Sequence, residues 1–330
     1  MAMMKAALCR EYGPPENVRI EQIAKPEPKP DEVLIRIRAT TVSSGDWRVR
    51  TLTVPRGMGI MVRAVFGFTR PRNPILGTEL AGEIEAVGKD VTNFRIGETV
   101  IGYPSFPNGC HAEYRTMRES DRIVAKPARL SYEEAAALCF GGATALDFLR
   151  DRAKLQTGEH LLVIGASGTL GSAAVQLAKH FGAHVTGICS AANVELVRSI
   201  GADRVIDYTC EDYRNGGETY DVIFDAVGVA SFRTHETFLK PNGRLLLLAA
   251  GLHEMLEAIG AKRDGKRVFS GPAKERLEHL TVLAGLAESG AYRPVIDQVF
   301  PFERIADAHA RVETGRKRGS VVVTVDQDKD

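Results

Sequence analysis

His160-Leu-Leu-Val-Ile-Gly-Ala-Ser-Gly-Thr-Leu-Gly171 runs an apolar segment of strand length into a glycine-rich turn. An apolar-periodic segment, Ser172 to Phe181, follows at once. The order is strand, turn, helix. Backbone N–H groups at a helix start point at an anion, and the helix dipole adds partial positive charge there. Glycines let the main chain turn tightly and approach a pyrophosphate closely. The chemistry on offer is the binding of a nicotinamide or similar dinucleotide. Gly165, Gly168 and Gly171 are spaced by threes, short of a strict G-x-G-x-x-G, so a tight turn without a ligand is the competing reading.

The flanking segments favour the ligand. His184 to Cys189 reads as a second strand and Asn193 to Ile200 as a helix. Arg204 to Asp207, Tyr220 to Asp225 and Gly243 to Leu248 continue the alternation, which is the pattern of a doubly wound parallel sheet. Upstream the chain is strand-like and turn-rich, with Val33 to Ala39, Leu80 to Gly88 and Gly97 to Gly102 as strands. Pro26, Pro28 and Pro30 exclude helix before the first of these. Helix is expected at Glu133 to Leu138, Ala143 to Leu155, Lys274 to Glu288 and Ile305 to Glu313, and a closing strand at Ser320 to Val325. Residues 251–272 read as irregular and charged. The fold class expected is α/β: a Rossmann doubly wound parallel sheet plus a β-rich domain. The expected limits are 1–124 for the β-rich domain, 125–264 for the cofactor domain and 265–330 for a return segment, with the cleft between domains as the expected site.

A net charge of +1 gives no overall pull toward nucleic acid or a membrane, so neither is an expected partner. No apolar run reaches the ~18 residues of a membrane span. The apolar start, Met1 to Cys9, is too short for a secretory signal and is broken by Arg10 and Glu11. Cys9, Cys110, Cys139, Cys189 and Cys210 are odd in number and form no CxxC pair, which reads as reduced thiols in a cytoplasmic protein.

Several segments together resemble the medium-chain dehydrogenase/reductase superfamily. They are Ile75 to Gly88, Phe94 to Gly102, Ala135 to Leu146, the 160–171 loop, Gly201 to Tyr208, Arg293 to Pro301 and Arg318 to Val323. The likeness spans nearly the whole chain in order. It implies a GroES-like catalytic domain, an inserted Rossmann domain and a homodimer. Within the superfamily the chain is most similar to the zinc-independent quinone oxidoreductase and enone reductase branch.

Zinc-dependent members carry a Cys in an early loop, a Gly-His-Glu, and a later Cys or Asp. Here the early loop is Val42-Ser-Ser-Gly-Asp-Trp47, the second place reads Gly77-Thr78-Glu79, and the third falls near Phe140 with Cys139 beside it. A catalytic zinc needs three His, Cys or carboxylate ligands, and Glu79 with Asp46 alone makes a poor site. No metal is therefore expected. Without a Lewis acid to stabilise an alkoxide, hydride transfer to an electron-poor small-molecule acceptor is the easier reaction. The expected activity is NADPH-dependent reduction of quinones or α,β-unsaturated carbonyls. The alternative is an NADPH-binding protein with a sensing, structural or scaffold role.

NAD-preferring folds place Asp or Glu at the end of the second strand to hold the ribose 2′-hydroxyl. This chain has Ile188-Cys189-Ser190 there, so NADPH is expected, with NADH as the alternative. Ser190 can donate to a 2′-phosphate or cap a helix; Tyr208 matches a phosphate contact or is a half-buried strand-end aromatic. Asn193 stands where the family often has Lys. The resemblance implies cofactor contacts from Thr144, Ser167, Gly168, Thr169, Leu170, Ser190, Asn193, Tyr208, Ala249, Gly251 and Arg318. It places Ser43, Asp46 and Trp47 at the catalytic end. Ser43 bonds the acceptor oxygen or its own turn. Asp46, as an anion, suits an orienting role, and Trp47 walls the substrate or belongs to the core. Thr144 either meets the cofactor or bonds a helix carbonyl. His111 is a proton donor or, more simply, a packed histidine.

Overall fold

The β-prone run Glu32–Val42 forms the longest strand among the described residues, buried over most of its length. The computed structural model describes residues 2–53, 59–104, 108–249, 251 and 264–325. Two compact units emerge. The first draws on Met1–Thr53, Ile60–Phe140 and Arg276–Asp330; the second is built on Gly141–Glu275.

In the first unit Met3–Cys9 (β1) pairs antiparallel with Val18–Ala24 (β2). Glu32–Val42 (β3), Leu80–Val87 (β4), Thr99–Gly102 (β5), Tyr114–Arg118 (β6) and Ile123–Ala125 (β7) follow. The second unit supplies His160–Ile164 (β8), His184–Cys189 (β9), Arg204–Asp207 (β10), Tyr220–Asp225 (β11), Leu239–Leu247 (β12) and Arg267–Ser270 (β13). The chain then returns to the first unit with Ile296–Pro301 (β14) and Ser320–Thr324 (β15).

The seven-stranded sheet of the first unit runs β14-β15-β3-β4-β5-β7, with β6 also on β3. β15 lies antiparallel to β3, with Val321 opposite Val42. The return segment thus fixes the end of β3 just before Ser43. Val33, Ile35, Ile37, Leu80, Ile84, Val321 and Val323 form the core of this unit, and helix Ile305–Glu313 closes it with Ile305, Ala308 and Val312.

The second unit is a six-stranded parallel sheet of order β10-β9-β8-β11-β12-β13. This order reverses direction beside β8, the topological switch point where ligands bind at strand C-termini. Leu162, Ile164, Ile188, Ile206, Ile223, Leu245 and Leu247 supply its core. The α/β class with a Rossmann sheet and a GroES-like β domain holds.

Some elements differ from expectation. The sequence places the first boundary at 124/125 and the last at 264/265; the units divide at 140/141 and 275/276. Helix Tyr132–Ala136 packs on β3 and β4, so it belongs with the β domain. Residues 252–263 lie outside the described residues, but β13 sits inside the segment expected to be irregular, because β12 offers it a parallel edge. The helix expected over Ala143 to Leu155 begins at Cys139 and turns into a π-helical stretch at Asp147–Arg152.

Candidate functional site

The glycine loop of the second unit shows three glycines with three separate reasons. Gly165 has φ +82°, and a Cβ there would lie 2.5 Å from Val227 Cγ2. A Cβ on Gly171 would lie 2.1 Å from Gly165 O, so only glycine lets the helix start pack on the strand end. Gly168 is different: its φ is −80°, and a Cβ would meet nothing nearer than Gly165 O at 3.6 Å. Open space lies where an anion would approach. Gly168 is the N-cap of helix Thr169–His180, and no side chain caps it. Ser167, Gly168, Thr169 and Leu170 are all half-buried.

The loop is tied to the neighbouring strand. Gly165 N and Ala166 N donate to Ile188 O at 3.1 and 2.9 Å. Beyond β9 the short 3₁₀ turn Ala191–Asn193 begins at Ser190, whose hydroxyl does not cap it. That hydroxyl instead accepts from Asn193 Nδ2 at 3.2 Å, and the same amide donates to Ser167 Oγ at 3.1 Å. Asn193 Oδ1 is buried with no partner. A buried acceptor without a donor is costly, and a ligand hydroxyl can relieve it. Tyr208 is 61% exposed, so it is not the half-buried aromatic of the alternative reading; its N–H donates to Cys189 O at 3.1 Å.

Two acids that sequence reasoning missed shape the same end of the sheet. Asp225, fully buried at the end of β11, accepts from Val227 N and Gly228 N at 2.9 Å and from Ala230 N at 2.7 Å. It folds the loop that packs on Gly165. The signal was an acid closing an apolar strand. Asp207 ends β10 opposite Cys189, and its carboxyl is held below the usual range by the Thr209 hydroxyl and N–H. Ala249 and Gly251 follow β12, and a Cβ on Gly228 would touch Ala249 Cβ at 3.0 Å. Thr144 is buried in helix Cys139–Leu146. On the same helix, a Cβ at Gly141 would lie 2.8 Å from Thr169 O. These residues fit a dinucleotide: an uncapped helix start, open space at Gly168 and an unpaired acceptor beside two serine hydroxyls.

Ser43, Asp46 and Trp47 lie together in the first unit. Ser43 is the N-cap of helix Ser44–Thr51, in a capping box with Asp46. Its hydroxyl donates to Asp46 Oδ2 at 2.6 Å and accepts from Asp46 N at 3.2 Å. Asp46 Oδ1 accepts from Gly77 N at 2.8 Å. Both side chains are buried and engaged, which gives Ser43 the turn-serine role and Asp46 the orienting one. Trp47 packs against the core, and its buried Nε1 has no partner. His111 is fully buried; Nε2 donates to Thr41 O at 2.9 Å, and the ring lies edge-on to His309. It is the packed histidine. Arg318 is exposed and anchors by its N–H to Asp297 Oδ1 at 2.9 Å.

Glu79 is buried and accepts from the Thr41 hydroxyl and from Phe140 N at 2.5 Å. Burial pushes its carboxyl up to about 7 against those two donors. Burial likewise holds the Cys110 and Cys139 thiols well above their usual range, far from the thiolate a metal needs. Among the described residues no three His, Cys, Asp or Glu side chains are grouped to hold a metal. Asp46 and Glu79, the carboxylates nearest a family zinc position, already accept hydrogen bonds from Ser43 and Gly77 and from Thr41 and Phe140. The residues present do not fit a catalytic zinc.

Comparison with known proteins fits this geometry. The model of the alcohol dehydrogenase GroES-like domain matches residues 29–143, and that of zinc-binding dehydrogenases matches residues 200–323. A chloroplast envelope quinone oxidoreductase homolog of Arabidopsis thaliana is 32% identical, over 92% of this chain and 92% of its own length. An NADPH-dependent alkenal/one oxidoreductase from the chloroplast of the same plant is 31% identical, over 97% of this chain and 79% of its own. The solved quinone oxidoreductase of Coxiella burnetii superposes with a TM-score of 0.86 at 28% identity, covering 98% of this chain and all of that one.

Proposed function

From a chain that belongs to the medium-chain dehydrogenase/reductase superfamily, in its quinone oxidoreductase branch, we propose an enzyme that reduces quinones or α,β-unsaturated carbonyls without a metal. The chain is an oxidoreductase that takes NADPH, with NADH as the alternative. The observation that carries the metal-free reading is the commitment of Asp46 and Glu79 to Gly77, Ser43, Thr41 and Phe140. With those carboxylates engaged, an alcohol gains no Lewis acid, whereas an electron-poor acceptor needs none.

The nicotinamide supplies the hydride when bound. The protein's own residues bind and orient. The loop at Ser167 to Leu170 offers its backbone to the pyrophosphate. Ser190 and Asn193 face the ribose phosphate, with Tyr208 beside them. Ala249 and Gly251, just past β12, and Thr144 on helix Cys139–Leu146 are assigned to the cofactor as well. Ser43 and Asp46 hold the end of β3 and the Gly77 turn in place, and Trp47 backs them from the core. Asp46 is a poor partner for a developing enolate, so the final proton comes from water. A homodimer in a reducing compartment belongs to the same proposal; all five cysteines are free.

The test is NADPH consumption with a panel of quinones and enones, NADH in parallel, and mass analysis of the products. Reduction of one acceptor class supports the reading. A silent panel from folded, NADPH-binding protein moves the function to sensing or scaffolding.

A further inference from the structure

The net charge of +1 conceals a strong local imbalance. From Trp47 through Thr78 the sequence holds six arginines (Arg48, Arg50, Arg56, Arg63, Arg70 and Arg72) and no aspartate or glutamate. Inside this segment helix Gly59–Phe66 presents apolar side chains to water. Ile60 is 81% exposed, Val65 46%, and Phe68, just past the helix, 58%. Soluble surfaces seldom cluster apolar residues this way without a partner.

We propose that this helix and the turn after it dock on the surface of an anionic lipid bilayer. At 100° per residue Ile60 and Ala64 share one face, with Arg63 and Val65 on its flanks. Val62 and Phe66 are half-buried, and Phe66 borders a small cavity together with Val49, Ile75 and Leu76. The turn folds back tightly. Arg72 N donates to Phe66 O at 2.8 Å, Gly67 N donates to Arg63 O at 2.9 Å, and Arg63 Nη1 donates to Phe68 O at 2.6 Å. Arg63, Arg70 and Arg72 are all exposed around Phe68, and among the described residues none of the three forms an ion pair. Arg50 is excluded from the surface; it is buried and pairs with Glu313 at 2.7 Å.

An apolar tip ringed by arginines matches a bilayer interface: acyl chains accept the tip, and lipid phosphates accept the guanidinium groups. The helix is too short to span, and no described helix is long and apolar enough to cross a membrane. A second copy on the same patch would set arginines against arginines. A nucleic-acid backbone would satisfy the cations and leave Ile60, Val65 and Phe68 in water. The charge and the apolar tip together select lipid. The inference is independent of which acceptor is reduced.

The experiment is co-sedimentation of the full chain with vesicles of phosphatidylcholine alone and with about a third phosphatidylglycerol. The expected result is binding to the anionic vesicles only, weakened by high salt. Arg63→Gln and Arg70→Gln should each weaken it about fivefold. Phe68→Ser should weaken it about tenfold, through lost apolar insertion. Melting temperature and NADPH affinity of each variant check that the fold is intact, and the two arginine variants stand in for each other if one misfolds. No vesicle binding, equal binding to both vesicles, or binding unchanged by Phe68→Ser would overturn the proposal. So would self-association lost in these variants without any lipid binding.

Discussion

Asn193 Nδ2 donates to Ser167 Oγ across 3.1 Å, joining the turn after β9 to the glycine loop after β8. This neutral amide adds a side-chain tie to the backbone bonds by which Gly165 N and Ala166 N donate to Ile188 O. Its own oxygen is left without a partner.

Asn193→Lys is expected to raise the preference for NADPH over NADH by roughly tenfold to a hundredfold, since a charge-assisted hydrogen bond to the 2′-phosphate contributes about 1.5–3 kcal/mol. Cofactor titrations of both proteins read the ratio of affinities. An unchanged ratio would mean that the 2′-phosphate lies elsewhere.

Gly168→Asp should abolish cofactor binding while leaving the fold sound. The backbone there is ordinary, the Cβ has room, and Asp is a favoured N-cap, so the melting temperature should hold or rise. The carboxylate then occupies the place of the pyrophosphate. Gly171→Ala is the contrast: its Cβ meets Gly165 O at 2.1 Å, and the protein should lose stability. Retained NADPH affinity in Gly168→Asp would remove the phosphate loop from its assigned place.

Local patterns were the legible part of this chain. Apolar runs gave β9, β10 and β11 and helix Ile305–Glu313 at their observed limits, and the glycine loop was visible as a loop. What sequence could not show was long-range. Met3–Cys9 lacks alternation and becomes a strand only through Val18–Ala24. The role of Asp46 depends on Gly77, a residue distant in sequence. Helix Gly59–Phe66 has little polar face to betray a period, and its exposure runs against its composition.

Glu79 should make stability fall as pH rises. Its folded value of about 7 lies above its ordinary 4.5, so the folded state binds the proton more tightly. That contribution is full below about 4.5 and is lost as pH rises through 7. Glu79→Gln removes the slope, and by pH 8 the variant should gain on the wild type by about 3 kcal/mol relative to pH 4. Denaturant titrations across pH measure this. Parallel curves for the two proteins would contradict it.

His309 acts on the opposite flank. Both ring nitrogens are buried without partners, and burial holds its pKa well below 6.5, with His111 and Arg50 adding to the effect. The unfolded state takes up the proton first, so stability should fall as pH drops below 6.5. His309→Leu should lose this acid sensitivity and match or exceed the wild type in stability, since an apolar side chain leaves no buried group unpaired. An unaltered acid limb in the variant would assign that limb to other groups.

The most direct test of metal-free reduction is NADPH turnover with the best quinone or enone before and after exhaustive chelation, with bound metal measured in both samples. The account predicts one NADPH consumed per acceptor reduced, at the same rate in metal-free protein. A rate that vanishes on chelation and returns with stoichiometric zinc would contradict it.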